Sequence, residues 1–169
     1  NKFSNSINMS GVNSINWARI VAQTVYYFFS YFQTCQINEK INFSVPTGNF
    51  GDVYAGYLSK KMGLPIDKLI VATNQNDILH RAISKGQYKA HSVVETLSPS
   101  MDIQVASNFE RLIYDINDQN TDKTSKIMQS IKNEKKYLIE EKELKKIKKD
   151  FVSETISEQE LLSCIKKVY

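Results

Sequence analysis

The sequence is poor in cysteine, proline, glycine and arginine. Its 169 residues include two cysteines, Cys35 and Cys164, which are too far apart in sequence to suggest a disulfide framework or a zinc motif. Three prolines and six glycines are too few for a collagen-like or low-complexity chain. These scarcities exclude disulfide-rich, fibrous and disordered classes. They favour a globular domain in a reducing compartment, so we expect a cytoplasmic location.

Charge of one sign is not concentrated as it is in most nucleic-acid-binding modules. Lysines supply most of the net charge of +4 and are frequent in residues 132–149, but glutamates lie among them. Such a mixture is typical of a solvated helical surface. The most apolar stretch, residues 17–32, contains Arg19 and is shorter than the ~20 residues that span a bilayer. We therefore expect neither a nucleic acid nor a membrane as a partner.

Alternating helix and strand patterns predict an α/β fold. Residues 15–32 are apolar on nearly every side, which predicts a helix that is buried all round. Ile41–Val45 and Lys68–Thr73 are short apolar runs typical of buried strands, with a helix predicted over Val53–Met62 between them. A strand, a helix and a second strand form a βαβ unit, whose strands run parallel.

The remainder of the chain divides by composition. Further helices are predicted over residues 76–84 and 108–116, and an irregular segment over residues 87–107 separates them. The charge content rises after residue 116. We therefore interpret residues 1–116 as part of an α/β domain and residues 117–169 as a charged helical segment.

The most informative segment is the loop between the first predicted strand and its helix, Pro46-Thr-Gly-Asn-Phe-Gly-Asp52. Glycine accepts a positive φ and lets an anion approach the backbone. The free amides at a helix start, where the helix dipole is positive, favour phosphate. The spacing matches neither a Walker loop nor the G-x-G-x-x-G fingerprint. On spacing alone the loop is either a phosphate site or a plain tight turn.

Polar residues also follow the second predicted strand. Asn74, Asn76 and Asp77 would lie at the carboxyl edge of the sheet, where α/β folds bind ligands, together with the glycine loop. The alternative is that Asn74 or Asn76 caps the next helix. His80 and His91 have no partner at metal-ligand or catalytic-triad spacing, so the sequence predicts no metal site.

Five segments, in this order, strongly resemble the threonine synthase family. They are Asn13-Ser-Ile-Asn-Trp-Ala-Arg-Ile20, Val45-Pro-Thr-Gly-Asn-Phe-Gly-Asp52, Ala72-Thr-Asn-Gln-Asn-Asp-Ile-Leu79, Thr96-Leu-Ser-Pro-Ser-Met-Asp102 and Ser107-Asn-Phe-Glu-Arg111. The resemblance implies the fold of fold-type II enzymes that use pyridoxal 5'-phosphate (PLP). This is a three-layer αβα arrangement like that of tryptophan synthase β, with an open, mainly parallel sheet and here a helical C-terminal part.

The same resemblance implies an activity and its ligands. Members convert O-phosphohomoserine and water to L-threonine and phosphate with PLP as cofactor, and either a monomer or a homodimer is expected. The resemblance assigns the cofactor phosphate to the loop and the substrate to the first segment. The implied cofactor-binding residues are Gly48, Asn49, Phe50, Gly51 and Asp52, and the implied substrate-binding residues are Asn13 and Asn16.

One feature of the family is missing from this sequence. The family's Schiff-base lysine lies in a Phe-Lys-Asp context, and no lysine here has Phe before it and Asp after it. The chain therefore matches a middle-to-late part of the enzyme, contains no catalytic residue of its own, and is expected to have no turnover alone. Two alternatives stay open. One is another fold-type II PLP lyase or a threonine-synthase-like protein, and the other is a non-catalytic module that binds PLP or phosphate.

Overall fold

A computed structural model describes residues 13–169 of the chain. These residues form seven α-helices, five strands and a short 3-10 turn at Pro99–Met101. In chain order the elements are α1 (Trp17–Thr34), β1 (Ile41–Pro46), α2 (Gly51–Lys61), β2 (Ile66–Thr73), α3 (Ile78–Lys85), β3 (Gln87–Lys89), α4 (Phe109–Ile116), α5 (Thr121–Glu134), β4 (Lys136–Leu138), α6 (Glu141–Asp150), β5 (Phe151–Thr155) and α7 (Glu158–Val168).

The main sheet has three parallel strands in the order β1-β2-β5. Val71 of β2 lies opposite Val45 of β1 on one side and Ser153 of β5 on the other. Leu69 and Val71 are fully buried, because the central strand is covered by its neighbours and by helices. The predicted βαβ unit and the α/β class with a mainly parallel sheet are confirmed. A separate antiparallel pair joins β3 to β4.

The prediction that residues 117–169 are helical throughout is wrong at two places. β4 pairs with β3, and β5 completes the main sheet beside β2. The apolar stripe of α6 continues at helical spacing from Ile147 to Phe151, so the pattern concealed the point where the backbone becomes extended. The division of the chain after residue 116 stays a prediction, but the segment beyond it supplies a strand to the same sheet.

The prediction that the first helix is buried all round is also wrong for the described residues. One face of α1 is buried through Ile20, Thr24, Tyr27 and Tyr31. The other face is exposed although it is rich in aromatic and branched side chains, namely Trp17, Val21, Val25, Tyr26, Phe29 and Phe32. No helix in the described part of the chain combines the length and the apolar character needed to cross a membrane.

Close contact between α1 and α2 fixes the position of the helix that follows the glycine loop. A Cβ atom at Gly56 would lie 2.6 Å from the ring of Tyr27, so glycine lets the two helices approach. The Tyr27 hydroxyl donates a hydrogen bond of 2.9 Å to the backbone carbonyl of Asp52, in the first turn of α2. These contacts hold the start of α2 against α1.

A buried carboxylate organises the C-terminal helices. Glu143 is 3% exposed and accepts hydrogen bonds of 2.6 Å from the Lys123 ammonium and the Tyr137 hydroxyl. Its carboxylate also accepts from the Glu140 amide at 3.2 Å and so completes the capping box of α6. Burial by itself would raise the pKa of Glu143, but the bonds from Lys123 and Tyr137 outweigh it and lower the pKa. The carboxylate thereby joins α5, β4 and α6.

We expect Glu143→Gln to lower the free energy of unfolding by about 1–3 kcal/mol at pH 7, because charge-assisted bonds in a buried site are lost. The pKa of Glu143 is lower in the folded chain than its ordinary value of 4.5. Its contribution is therefore present above pH 4.5 and is lost as the pH falls through the folded pKa. Urea denaturation at several pH values measures this difference.

The matched control is Glu141→Gln, in the same helix. Glu141 pairs with Lys145 on the exposed surface, and such pairs contribute within about 0.5 kcal/mol. Equal losses of stability in the two variants would contradict the role given to Glu143.

Candidate functional site

A cavity of about 260 Å³ opens beyond the carboxyl end of β1, where the chain turns into α2. All five residues predicted for the cofactor, from Gly48 to Asp52, line it. The rest of the wall comes from the end of β1, from α1 and the residues before it, and from the irregular segment between β3 and α4. These further residues are Ser14, Arg19, Gln23, Pro46, Thr47 and Ser100.

The backbone of the loop turns at Phe50 and not at a glycine. Phe50 has a φ of 66°, in the left-handed region that a bulky residue rarely adopts. Its side chain is buried between the rings of Phe109, at 5.3 Å, and Phe151, at 5.6 Å. The sequence led us to expect the positive φ at the glycines of the loop, and this is wrong: Phe50 has it, and neither Gly48 nor Gly51 does. The packing of the Phe50 ring against Phe109 and Phe151 holds the backbone in that conformation.

The two glycines of the loop serve close approach. A Cβ atom at Gly48 would lie 2.8 Å from the backbone oxygen of Ser100, a distance that real Cβ atoms do not reach. A Cβ atom at Gly51 would lie 3.2 Å from the side-chain nitrogen of Asn108. Ser100 lines the cavity, whereas Asn108 does not. A side chain at Gly48 would therefore push the wall away from the loop, and one at Gly51 would displace the Asn108 side chain.

The backbone amides of residues 48–53 form a row that has no hydrogen-bond acceptor in the described part of the chain. The first hydrogen bond at the start of α2 runs from the Tyr54 amide to the Phe50 carbonyl at 3.1 Å. Among residues 13–169, none of the amides of residues 48–53 donates to a protein atom. Free amides at a helix start, next to a left-handed residue, form a concavity suited to an anion. The geometry therefore fits the phosphate alternative better than the plain turn.

Side chains of the loop serve different purposes from its amides. The Asn49 side-chain oxygen accepts a weak bond of 3.4 Å from the Ser107 hydroxyl, which ties the loop to the start of α4. Asp52 is a carboxylate in the first turn of α2, so its amide and not its side chain suits an anion. Partial burial raises the pKa of Asp52, although the Tyr27 hydroxyl counteracts this.

The residues predicted for the substrate do not line the cavity themselves. The side-chain oxygen of Asn13 accepts from the Ile15 amide at 3.0 Å, and that of Asn16 caps α1 by accepting from the Ala18 amide at 2.9 Å. The neighbouring Ser14 and Arg19 do line the cavity. Asn13 and Asn16 therefore shape the turn that presents these two residues, and their role toward substrate stays a prediction.

Sequence reasoning missed Arg19 and Gln23 as site residues. Arg19 is the one cationic residue in the described lining, and Gln23 follows it one helical turn later. Arg19 is also the one charged residue in the apolar stretch of α1. That isolated charge was the available signal, because a lone arginine in an apolar helix needs a reason to be there.

A buried asparagine joins three of the family-like segments. The Asn108 side-chain nitrogen donates to the carbonyl of Ser14 at 2.8 Å and to that of Asn49 at 3.2 Å. Its side-chain oxygen accepts from the Arg111 guanidinium at 3.1 Å. Arg111 in turn donates to the Ile15 carbonyl at 2.8 Å. The segment before α1, the glycine loop and the start of α4 are therefore held as one unit.

A second polar cluster holds the irregular segment over the sheet edge. The Asp102 carboxylate accepts from the Thr96 hydroxyl at 2.7 Å, from the Asn74 amide nitrogen at 2.7 Å and from that of Asn76 at 3.0 Å. The hydrogen bond from Thr96, with those from Asn74 and Asn76, lowers the pKa of Asp102. The cluster fixes the segment that places Ser100 against Gly48. Asn74 and Asn76 therefore hold the irregular segment in place. The sequence had suggested either a ligand site or a helix cap for them, and neither alternative included this role.

Other sequence candidates lie apart from the cavity. Asp77 pairs with Arg81 at 2.8 Å, and His80 contacts the Ser153 carbonyl at 3.1 Å. His91 lies on the exposed surface. Within residues 13–169 no group of three His, Cys, Asp or Glu side chains is arranged to hold a metal ion.

Comparisons with known proteins show which proteins this chain is similar to. No family model matches the chain. Curated threonine synthases from Pseudomonas aeruginosa and Saccharomyces cerevisiae are 47% and 46% identical to it, over 94% and 99% of this chain and 34% and 35% of their own lengths. The crystal structure of PLP-bound threonine synthase from Brucella melitensis matches with a TM-score of 0.93 and 44% identity, over 99% of this chain and 36% of that one.

The similarity extends over nearly all of this chain, but over only part of each relative. The chain spans about a third of the length of the curated relatives that it matches. The segments that line the cavity belong to the matched region, because the match covers almost the whole chain. Identity at this level, with the same fold, shows that the chain belongs to the threonine synthase family.

Proposed function

We propose that the protein containing this chain is a threonine synthase, a PLP-dependent lyase that converts O-phosphohomoserine and water to L-threonine and phosphate. The observation that carries the proposal is that the residues from Gly48 to Asp52, whose amides have no acceptor among residues 13–169, share one cavity with Arg19, the one cation in its described lining. Family membership supplies the reaction, and the cavity supplies sites suited to phosphate groups.

The loop from Gly48 to Asp52 binds the phosphate of PLP in this proposal. Its amides donate to phosphate oxygens, and the positive end of the α2 dipole adds to the attraction. When bound, PLP supplies an electron sink for negative charge on a substrate carbon. This chain's contribution is to hold the cofactor at the carboxyl edge of the sheet, with Ser100 closing the loop from above.

Arg19 and Ser14 bind the second anionic group, the phosphate of the substrate. The guanidinium of Arg19 is a fork of N–H donors that matches phosphate oxygens, and the Ser14 hydroxyl adds one donor. Asn16 caps α1 and so fixes the turn that carries both residues. Asn13 orders the turn between them through its bond to the Ile15 amide.

The two alternatives that the sequence left open differ in what they require of the site residues. Another PLP lyase would keep the loop and change the residues that meet the substrate. A non-catalytic module would bind PLP through the same amides, since the 169 residues contain no Phe-Lys-Asp lysine. Identity of 47% to a threonine synthase favours the first proposal over both. Cytoplasmic location and a monomeric or homodimeric state stay predictions.

The first test is an assay of the full-length protein that contains this chain. With PLP present, we expect it to release inorganic phosphate from O-phosphohomoserine and to form threonine. The isolated 169 residues should release none, because the catalytic lysine is missing from them. Turnover by the isolated chain would contradict that expectation. Turnover of a different amino-acid ester by the full-length protein would favour the other-lyase alternative.

The second test addresses Arg19. We expect Arg19→Gln in the full-length protein to lower kcat/KM for O-phosphohomoserine by about 10- to 100-fold, because a hydrogen bond to a charged group contributes about 1.5–3 kcal/mol. PLP affinity should change much less. Lys40→Gln is the matched control, because it removes the same charge at an exposed position before β1, at the opposite end of the strand from the loop. If both variants lowered kcat/KM equally, the effect would come from the loss of net charge, and this would contradict a direct contact between Arg19 and the substrate phosphate.

The third test addresses the close approach at Gly48. A methyl group there would meet the Ser100 carbonyl at 2.8 Å, so we expect Gly48→Ala to weaken PLP binding at least about tenfold. Equilibrium dialysis measures the dissociation constant. Gly63→Ala is the control, because it also strains the chain, at a φ of 107°, but lies after α2 and outside the cavity. Unchanged binding by Gly48→Ala would contradict the loop as the phosphate site.

A further inference from the structure

We propose that Asn108 is a positioning residue for the phosphate site. It holds the loop from Gly48 to Asp52, here called the phosphate cradle, and the segment before α1 at a fixed spacing. For its ligand, this inference rests on the proposed function. Asn108 is fully buried and does not line the cavity, so it acts through the residues that it contacts.

The side-chain amide of Asn108 has no spare donor. Its two N–H groups go to the carbonyls of Ser14, at 2.8 Å, and Asn49, at 3.2 Å. The backbone amide of Asn108 makes a further bond of 3.0 Å to the same Asn49 carbonyl. One residue thus contacts both walls of the cavity, because Ser14 belongs to the α1 wall and Asn49 to the loop.

The orientation of the Asn108 amide is set from outside the cavity. Its oxygen accepts from the Arg111 Nε at 3.1 Å, which directs the nitrogen toward the two carbonyls. Arg111 itself is fixed by its bond to the Ile15 carbonyl and by its position 5.1 Å over the Trp17 ring. Gly51 leaves the space that the amide occupies, since a Cβ atom there would lie 3.2 Å from the Asn108 nitrogen.

The consequence for an anion follows from the geometry of the peptide bond. In a trans peptide the carbonyl and the next N–H point in opposite directions. A carbonyl of Asn49 held toward Asn108 therefore turns the Phe50 amide away from Asn108. Carbonyl oxygens repel phosphate. Asn108 donates hydrogen bonds to two of them, those of Ser14 and Asn49, so these oxygens are not left to face an anion. Without the Asn108 side chain, the Ser14 carbonyl would lose the bond from Asn108, and the Asn49 carbonyl would keep only the bond from the backbone amide of residue 108. Both peptides would then be held less firmly, and the donors of the cradle would be less ordered.

A purely structural role for Asn108 predicts a different result from a positioning role. Loss of packing alone would weaken every ligand of the site by a similar factor. Loss of the ordered cradle would weaken a ligand that carries phosphate and spare one that lacks it. PLP and pyridoxal differ by that phosphate group, so the ratio of their dissociation constants separates the two roles.

The experiment measures both dissociation constants by equilibrium dialysis on the full-length protein, for the wild type, Asn108→Ala and Asn117→Ala. Asn117 is the matched control, because it is a buried asparagine at the other end of α4 that bonds the Ile113 carbonyl at 2.9 Å. For Asn108→Ala we expect PLP to bind at least about tenfold more weakly and pyridoxal to change less than about twofold. Asn117→Ala should leave the ratio unchanged.

Each result bears on a different claim. A wild-type protein that binds PLP no better than pyridoxal overturns the proposed phosphate cradle, and this inference with it. A wild type that prefers PLP, with an Asn108→Ala variant that keeps the same ratio, overturns the inference alone. If Asn108→Ala does not fold, Arg111→Met replaces it, because it removes the bond that orients the Asn108 amide and keeps Asn108. The ratio should then fall in the same direction, and an unchanged ratio overturns the inference.

Discussion

The packing of Phe50 is the constraint on which the candidate site depends. A left-handed backbone at a phenylalanine costs about 1–3 kcal/mol. Burial of a phenylalanine side chain removes about 150–250 Å² from water, at about 25 cal/mol per Å², which is enough to offset that cost. The offset comes from Phe109 at the start of α4 and from Phe151 at the start of β5. The loop therefore keeps its shape only while two distant parts of the chain are in place.

Above and beside this aromatic cluster, polar contacts complete the wall of the cavity. Asn108 ties the loop to the segment before α1, and Asp102 ties the irregular segment to the end of β2. Both polar clusters use side chains from the segments that resemble the family. Most residues of those segments do not line the cavity. The segments that resemble the family therefore include residues that hold the site in place as well as residues that line it.

Local patterns sufficed to predict part of this arrangement. β1, α2 and β2 are adjacent in sequence, and each has a pattern that one helix or strand can satisfy, so the βαβ unit and the loop at its carboxyl edge were predictable. Arg19 was visible as the one charge in an apolar helix, but nothing local said what it faces. The left-handed Phe50 was not predictable, because its cause lies in residues far along the chain. β5 was missed because Phe151 fits the helical spacing of α6 as well as the start of a strand.

The place of β5 in the sheet has a consequence for how the molecule folds. Thr73 and Glu154 are neighbours in the sheet although they lie 81 positions apart in sequence. Closing so long a loop is entropically slow compared with forming the local unit of β1, α2 and β2. Phe151 arrives with β5, and Phe50 has its full aromatic support only after that arrival. We therefore expect the proposed anion site to be among the last features to form during folding, so that its presence would report that the three-stranded sheet is complete.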